Sequence, residues 1–83
     1  MTTMKYLLTF ECNRDGVLEV FCNREGLKVL MQRLQLVLDR GGHEHLMTAS
    51  WAGNELTEVR FDADSVLVHQ VNINVRPDDE KIE

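Results

Sequence analysis

Three histidines, two cysteines and one tryptophan are the residues of this chain whose side chains could carry chemistry. His43 and His45 stand two apart, so in extended chain both rings point to the same side, a spacing that metal ligands use. His69 supplies a third imidazole, and Glu44, Asp62 or Asp64 would have to complete the shell. Only the His43/His45 pair has positional support. The bland alternative is a pair of rings hydrogen-bonding polar groups where one element hands over to the next, with pH sensing or partner contact as further uses. Catalysis is harder to assemble. Cys12 falls at a hairpin end and Cys22 on an apolar strand face, neither at a helix N-terminus that would activate a thiol. No Ser-His-Asp order, glycine-rich phosphate loop or paired-carboxylate pocket stands out, and the expectation is a protein that is not an enzyme and needs no cofactor.

These residues concentrate in one stretch, His43 to Glu58, which has no amphipathic period. Trp51 in it has two readings: a ring closing the core beneath a loop, or an exposed anchor at a partner interface, where tryptophan is enriched. Gly53 marks a backbone conformation other residues resist. Asn54 belongs to the same turn, and Glu55 is placed to accept backbone hydrogen bonds across it.

The elements that must position this stretch are ordinary. Lys5 to Cys22 reads as two strands around Asn13-Arg14-Asp15-Gly16, with Gly16 left-handed in a three-residue loop. That register pairs Leu8 with Cys22 and Phe10 with Val20, giving one apolar face (Tyr6, Leu8, Phe10, Leu18, Val20, Cys22). The other face is mixed (Leu7, Thr9, Glu11, Val17, Glu19, Phe21). Cys12 then lies opposite Leu18, roughly 13 Å along the strand from Cys22, so both thiols are expected free. Asn23 caps a helix over about residues 24 to 40, whose Leu27, Leu30, Met31, Leu34, Val37 and Leu38 form a stripe expected in the core. Gly41-Gly42 ends it. Glu44 to Ala49 suits a third strand, Leu56 to Phe61 alternates weakly as a fourth, and Val66 to Arg76 alternates clearly up to Pro77. The expected fold class is α+β in two layers: one amphipathic helix on an antiparallel sheet of four to five strands, order β-β-α-β-β-β. Residues 1–77 make a single domain, and 78–83 an acidic, disordered tail.

Eighty-three residues with a formal charge of −5 lack the Lys/Arg clusters that phosphate binding needs, so no nucleic-acid partner is expected, and acidity favours a basic protein instead. No apolar run approaches a membrane span and the N-terminal stretch is no signal peptide, so no membrane association and a cytoplasmic location are expected.

The run His43-x-His45-Leu46, followed by Trp51-x-Gly53-x-Glu55-Leu56, resembles the signature of immunity protein family 32 from bacterial polymorphic toxin systems. The hairpin, the leucine-rich helix ending in Gly41-Gly42 and the closing Val/Ile strand are similar to that family's layout. One departure is Ala52, where the pattern has a second glycine. The resemblance implies a non-catalytic protein that binds a co-produced toxin, often a nuclease, and occludes its active surface. The candidate contacts are His43, His45, Trp51, Asn54 and Glu55, with Glu58 and Asp62 on the rim. A second candidate surface is the mixed hairpin face, at Leu7, Thr9, Glu11, Glu19 and Phe21. Two other classes stay open: a small regulatory module that dimerises through a sheet edge or face, and a histidine-based metal or small-ligand binder.

Overall fold

The computed structural model describes residues 6–77. The N-terminal residue of the expected first strand, Lys5, and the acidic tail lie outside them. Strands β1 (Leu8–Cys12) and β2 (Leu18–Cys22) form the hairpin, followed by helix α1 (Arg24–Arg40), β3 (His43–Met47), a 3-10 turn (Ala49–Trp51), β4 (Val66–Leu67) and β5 (Gln70–Asn74).

The hairpin has the register that its turn chemistry dictates. Leu8 pairs with Cys22, Phe10 with Val20 and Cys12 with Leu18. The Asn13 N–H donates to Val17 O at 3.0 Å, Gly16 takes φ 84°, and both cysteines are free. Asn23 then works twice. Its Oδ1 accepts the Gly26 N–H at 2.8 Å, capping α1, and the Leu7 N–H at 3.0 Å, tying the cap to the start of β1. Gly26 is required here, because a Cβ on it would lie 1.7 Å from Leu7 O. At the other end the Gly41 N–H closes on Val37 O at 2.8 Å, with Gly41 at φ 74°.

The α+β class, the single helix and the antiparallel β-β-α-β-β-β order are as the sequence predicts. The five strands divide into two ladders, β2-β1-β4 and β3-β5. Two elements differ from expectation. Leu56 to Phe61 is not a strand: only Leu56 forms a bridge, parallel to Thr48, and the chain beyond it lies over β1. The closing strand breaks at Val68 and His69. Before the break it pairs with β1, and the Val68 N–H still reaches Phe10 O at 2.9 Å. After it, β5 pairs with β3. Val66 shares a face with Cys12, and Val71 shares one with the buried Leu46, so the inward positions shift by one residue across His69. The single alternation expected from Leu67 to Val75 therefore does not hold.

The core is small: Leu8, Phe10, Leu46 and Leu56, with Leu30, Val71 and Ile73 packed against it. Of the expected helix stripe only Val37 is buried; Leu27, Met31, Leu34 and Leu38 are exposed. One row of a helix can lie on a two-stranded ladder, and the second row finds no strand beneath it. The mixed hairpin face does the opposite. Thr9 and Glu11 are 0% exposed, so that face is covered by the chain itself and its middle offers no partner surface. Thr57 donates its N–H to Leu8 O and its Oγ1 meets Thr9 Oγ1 at 2.6 Å. Glu11 accepts the N–H groups of Phe61 and Asp62 at 2.7 and 3.2 Å, and Phe21 stacks on Phe61 at 4.7 Å between centroids.

Candidate functional site: the helix-distal surface

Register decides which way the histidines of β3 point. Leu46 faces Val71 and packs in the core below α1, so His43 and His45, of the opposite parity, lie on the far side with Asn74 and Asn72. The two rings meet edge to face at 4.8 Å. His45 Nδ1 lies 2.6 Å from Asn72 Oδ1, and Gln70 Nε2 donates to that same oxygen at 2.9 Å. The same Gln70 nitrogen lies 3.1 Å from His45 Nδ1, so the ring and the two amides form one polar cluster whose donor and acceptor roles turn on the histidine's tautomer. His69 is engaged elsewhere. Its Nδ1 is 2.7 Å from Thr48 Oγ1, and its ring lies flat against Trp51, 5.5 Å between centroids and 5° between planes. The three imidazoles thus serve two separate polar sets, and among the described residues no group of three or more His, Cys, Asp or Glu is placed to hold a metal.

The turn that carries Trp51 is built on buried Thr48. Its carbonyl accepts the N–H groups of Trp51 and Gly53, and its own N–H donates to His69 O. The left-handed residue is Ala52, at φ 68°, and not Gly53. An alanine held in this conformation costs about 1 kcal/mol. Gly53 is needed for space: a Cβ would come 2.5 Å from Met47 Cβ and 2.6 Å from Met47 O. Trp51 does not close the core. It is 53% exposed, with one face on His69 and the other open.

The remaining candidates divide between holding the turn and facing solvent. Glu55 Oε1 accepts the Met47 N–H at 3.0 Å, as a turn-bracing carboxylate would, and its other oxygen lies 3.9 Å from Arg33. Arg33 is bonded more closely to Glu44, at 3.1 Å, with Arg40 adding a contact to Glu44 at 3.4 Å. Asn54 exposes its side chain, while its carbonyl and that of Glu55 accept the Tyr6 hydroxyl at 2.9 Å. Burial first, and the Glu55 charge second, push the Tyr6 phenol up from its ordinary value. Glu58 is exposed and accepts the Ser50 N–H at 2.8 Å; hydrogen bonds from Ser50 hold its carboxyl below the usual range, with Thr48 and His69 adding to the effect. Asp62 caps the next turn, accepting from the Asp64 N–H and the Ser65 hydroxyl. It also lines an open recess of about 340 Å³ with Asn13, Arg14, Asp15 and Asp64.

The helix-distal side therefore carries a half-exposed tryptophan on a histidine, a polar lattice over β3 and β5, and an acidic edge. Thr48, Gln70 and Asn72 belong to it and are not among the sequence candidates. The polar alternation Gln70, Asn72, Asn74 is visible in the sequence, but its pairing with His43 and His45 needs the ladder register. Among the described residues of this surface, no nucleophile, base and anion-stabilising group converge on one point.

No helix among the described residues is long and apolar enough to cross a membrane. Comparisons with curated proteins and with solved structures return no match. The model of the family Immunity protein 32 matches residues 17–71, from the second strand of the hairpin through the Trp51 turn into β5. With about two-thirds of its length in that match, the chain belongs to the Immunity protein 32 family.

Proposed function

We propose that this protein neutralises a co-produced bacterial protein toxin by binding it and covering its active surface, in the cytoplasm of the cell that makes both. Family membership supports a protein toxin as partner. The observation that carries the choice of surface is Trp51: a large apolar ring half exposed, yet already ordered by its stack on His69. A side chain fixed before binding loses little entropy on association, which is what an interface anchor requires. His43 and His45, on the outer face of β3, and the exposed Asn54 are the further contacts of this reading, and Glu55 braces the turn that presents Trp51. Glu58 and Asp62, with Asp64 and Asp15 beyond, make an acidic edge that would speed encounter with a basic surface such as that of a nuclease.

The test is co-expression with the toxin encoded beside the gene. Wild type restores growth, and Trp51→Ala raises the dissociation constant by about 30-fold or more, the loss expected of a hot-spot tryptophan. Exchanging Glu58 and Asp62 for Gln and Asn acts mainly on the association rate and weakens its salt dependence. A neighbouring product that is harmless alone removes the neutralisation reading. Full rescue by Trp51→Ala, with unchanged affinity, removes this surface from it.

A further inference from the structure

The helix side of the molecule exposes apolar residues that the fold leaves uncovered. On α1, Leu27, Met31, Leu34 and Leu38 are 46%, 60%, 41% and 71% exposed. At 100° per residue these four form one row, turned about 100° from the row of Gly26, Leu30, Arg33 and Val37 that meets the strands. Across the β1–β2–β4 ladder, Leu18 and Val66 flank Cys12, and Val20 faces Phe10, all on the helix side. Leu18, Val20 and Val66 are 54%, 41% and 71% exposed. Together the seven side chains present roughly 600–700 Å² of apolar surface. That is beyond the few hundred Å² a monomer usually exposes, and near the ~800 Å² that each partner gives to a standard interface.

We infer that this side is covered by a second copy of the chain, with the two α1 helices packed antiparallel along the Leu27–Leu38 row. Two features select that occupant. The 4-3-4 spacing of Leu27, Met31, Leu34 and Leu38 is the seam of a helix pair and reads the same in both directions. In an antiparallel pair Leu27 meets the other copy's Leu38, and Met31 meets its Leu34. The charges beside the row then match. Arg24 and Lys28, the latter paired with Glu25 at 3.1 Å, flank its start, and Asp39, which accepts from Gln35 at 2.8 Å, flanks its end. Within one helix Arg24 and Asp39 stand at the termini where the helix dipole opposes them. An antiparallel neighbour brings this flank against its own copy, sets Arg24 and Lys28 beside Asp39 and reverses both penalties, while in a parallel pair the flank meets the uncharged side of the other copy's row. Glu25 and Arg40, the dipole-favoured end charges, point away from the row. Because the row is nearly neutral, it suits a second copy better than a strongly basic toxin.

Sedimentation of the full chain across about 1–200 μM tests this, a range over which ~800 Å² interfaces associate measurably. Wild type sediments as a dimer in the upper part of that range. Leu34→Glu, with its helical circular dichroism retained, raises the dissociation constant by about 100-fold or more. Should Leu34→Glu fail to fold, the exposed flank decides. Asp39→Lys weakens the dimer about 3- to 10-fold and adding Arg24→Glu and Lys28→Glu restores it, as facing charges require. Trp51→Ala leaves the dimer unchanged, which keeps this inference separate from the toxin-binding surface. A wild type that stays monomeric at 200 μM overturns it. A dimer indifferent to both the row and the flank charges also overturns it.

Discussion

On one face of the β1–β2 hairpin Thr9 and Glu11 are wholly buried beneath residues 57–65, while on the other Leu18 and Val20 keep half or nearly half of their surface in water. Hydrophobicity alone ranks these faces the other way round. The difference lies in what each face can hold. Residues 57–62 have backbone N–H groups to satisfy and no strand partner: the Thr57 N–H donates to Leu8 O, and Glu11 accepts those of Phe61 and Asp62, while the Thr57 hydroxyl accepts the Leu8 N–H and meets Thr9 Oγ1. Polar groups so paired are buried at modest cost and fix the covering segment in one place. The apolar face has no such directional hold. α1 touches the hairpin mainly where Asn23 and Gly26 approach Leu7, and then runs on along β3 and β5.

The largest expected effect comes from removing the acceptor of the polar face. Glu11→Ala removes the acceptor of the Phe61 and Asp62 N–H groups and empties a fully buried position, and should cost about 2–5 kcal/mol, a large share of the stability of a domain this small. Urea unfolding measures it, and Glu11→Gln, which keeps one acceptor oxygen, should recover part of the loss. A cost below 1 kcal/mol would mean that the covering segment is held by something other than Glu11. Next comes the single close contact of the apolar side. Gly26→Ala drives a Cβ into Leu7 O and should cost about 2–3 kcal/mol by displacing the helix start. If it is neutral, the helix is not seated against β1 as described.

How much of this was legible in the sequence follows the same division. The hairpin register, the α1 boundaries and the free thiols could be read because each depends on residues near one another: Asn13 with Gly16, Asn23 with Gly26, Gly41 with Val37. Glu55 as a turn brace was legible for the same reason. The cover over Thr9 and Glu11 was not, since it joins residues some fifty positions apart and replaces an expected strand at Leu56–Phe61. Nor was the shift at His69, where uninterrupted alternation in sequence conceals a change of partner from β1 to β3. The helix stripe misled because Leu27 and Leu30 look alike in a periodicity, and only the number of strands beneath decides which is buried. Trp51 had two readings, and the flat stack on His69 that leaves it outside the core is again a contact across the ladders.

A smaller effect is expected from the aromatic part of the cover. Phe61 stacks on Phe21 while staying half exposed, so Phe61→Ala should cost about 1–2 kcal/mol. Amide exchange should speed up across residues 59–64 and remain slow in β3 and β5. Uniform acceleration throughout the domain would show that the cover does not open by itself.

At the leading end of the cover Glu58 is exposed and its hydrogen bonds from Ser50 lower its pKa. A carboxyl held down in the folded state stabilises above its unfolded value of ~4.3, and that contribution disappears as pH falls through the lower folded value. The expected outcome is a Glu58 carboxyl resonance titrating below the ordinary glutamate value, with the Ser50 amide shifting alongside it and global stability scarcely changing. A Ser50 amide indifferent to acid would break the link between the cover and the Trp51 turn.

The smallest effect is predicted for the apolar face, and it sharpens the comparison most. Leu18→Thr with Val20→Thr keeps β-branched or strand-compatible side chains on β2 while removing apolar surface already half in water. In dilute protein the pair should shift stability by no more than about 0.5 kcal/mol. A loss above about 2 kcal/mol under those conditions would mean that α1 covers this face within the monomer, and the contrast between the two faces would fail. At high concentration the same variant should lower stability further if a second copy supplies the cover, because a ligand-like partner stabilises in proportion to its occupancy. The concentration dependence thus separates a face that water tolerates from one that a partner shields.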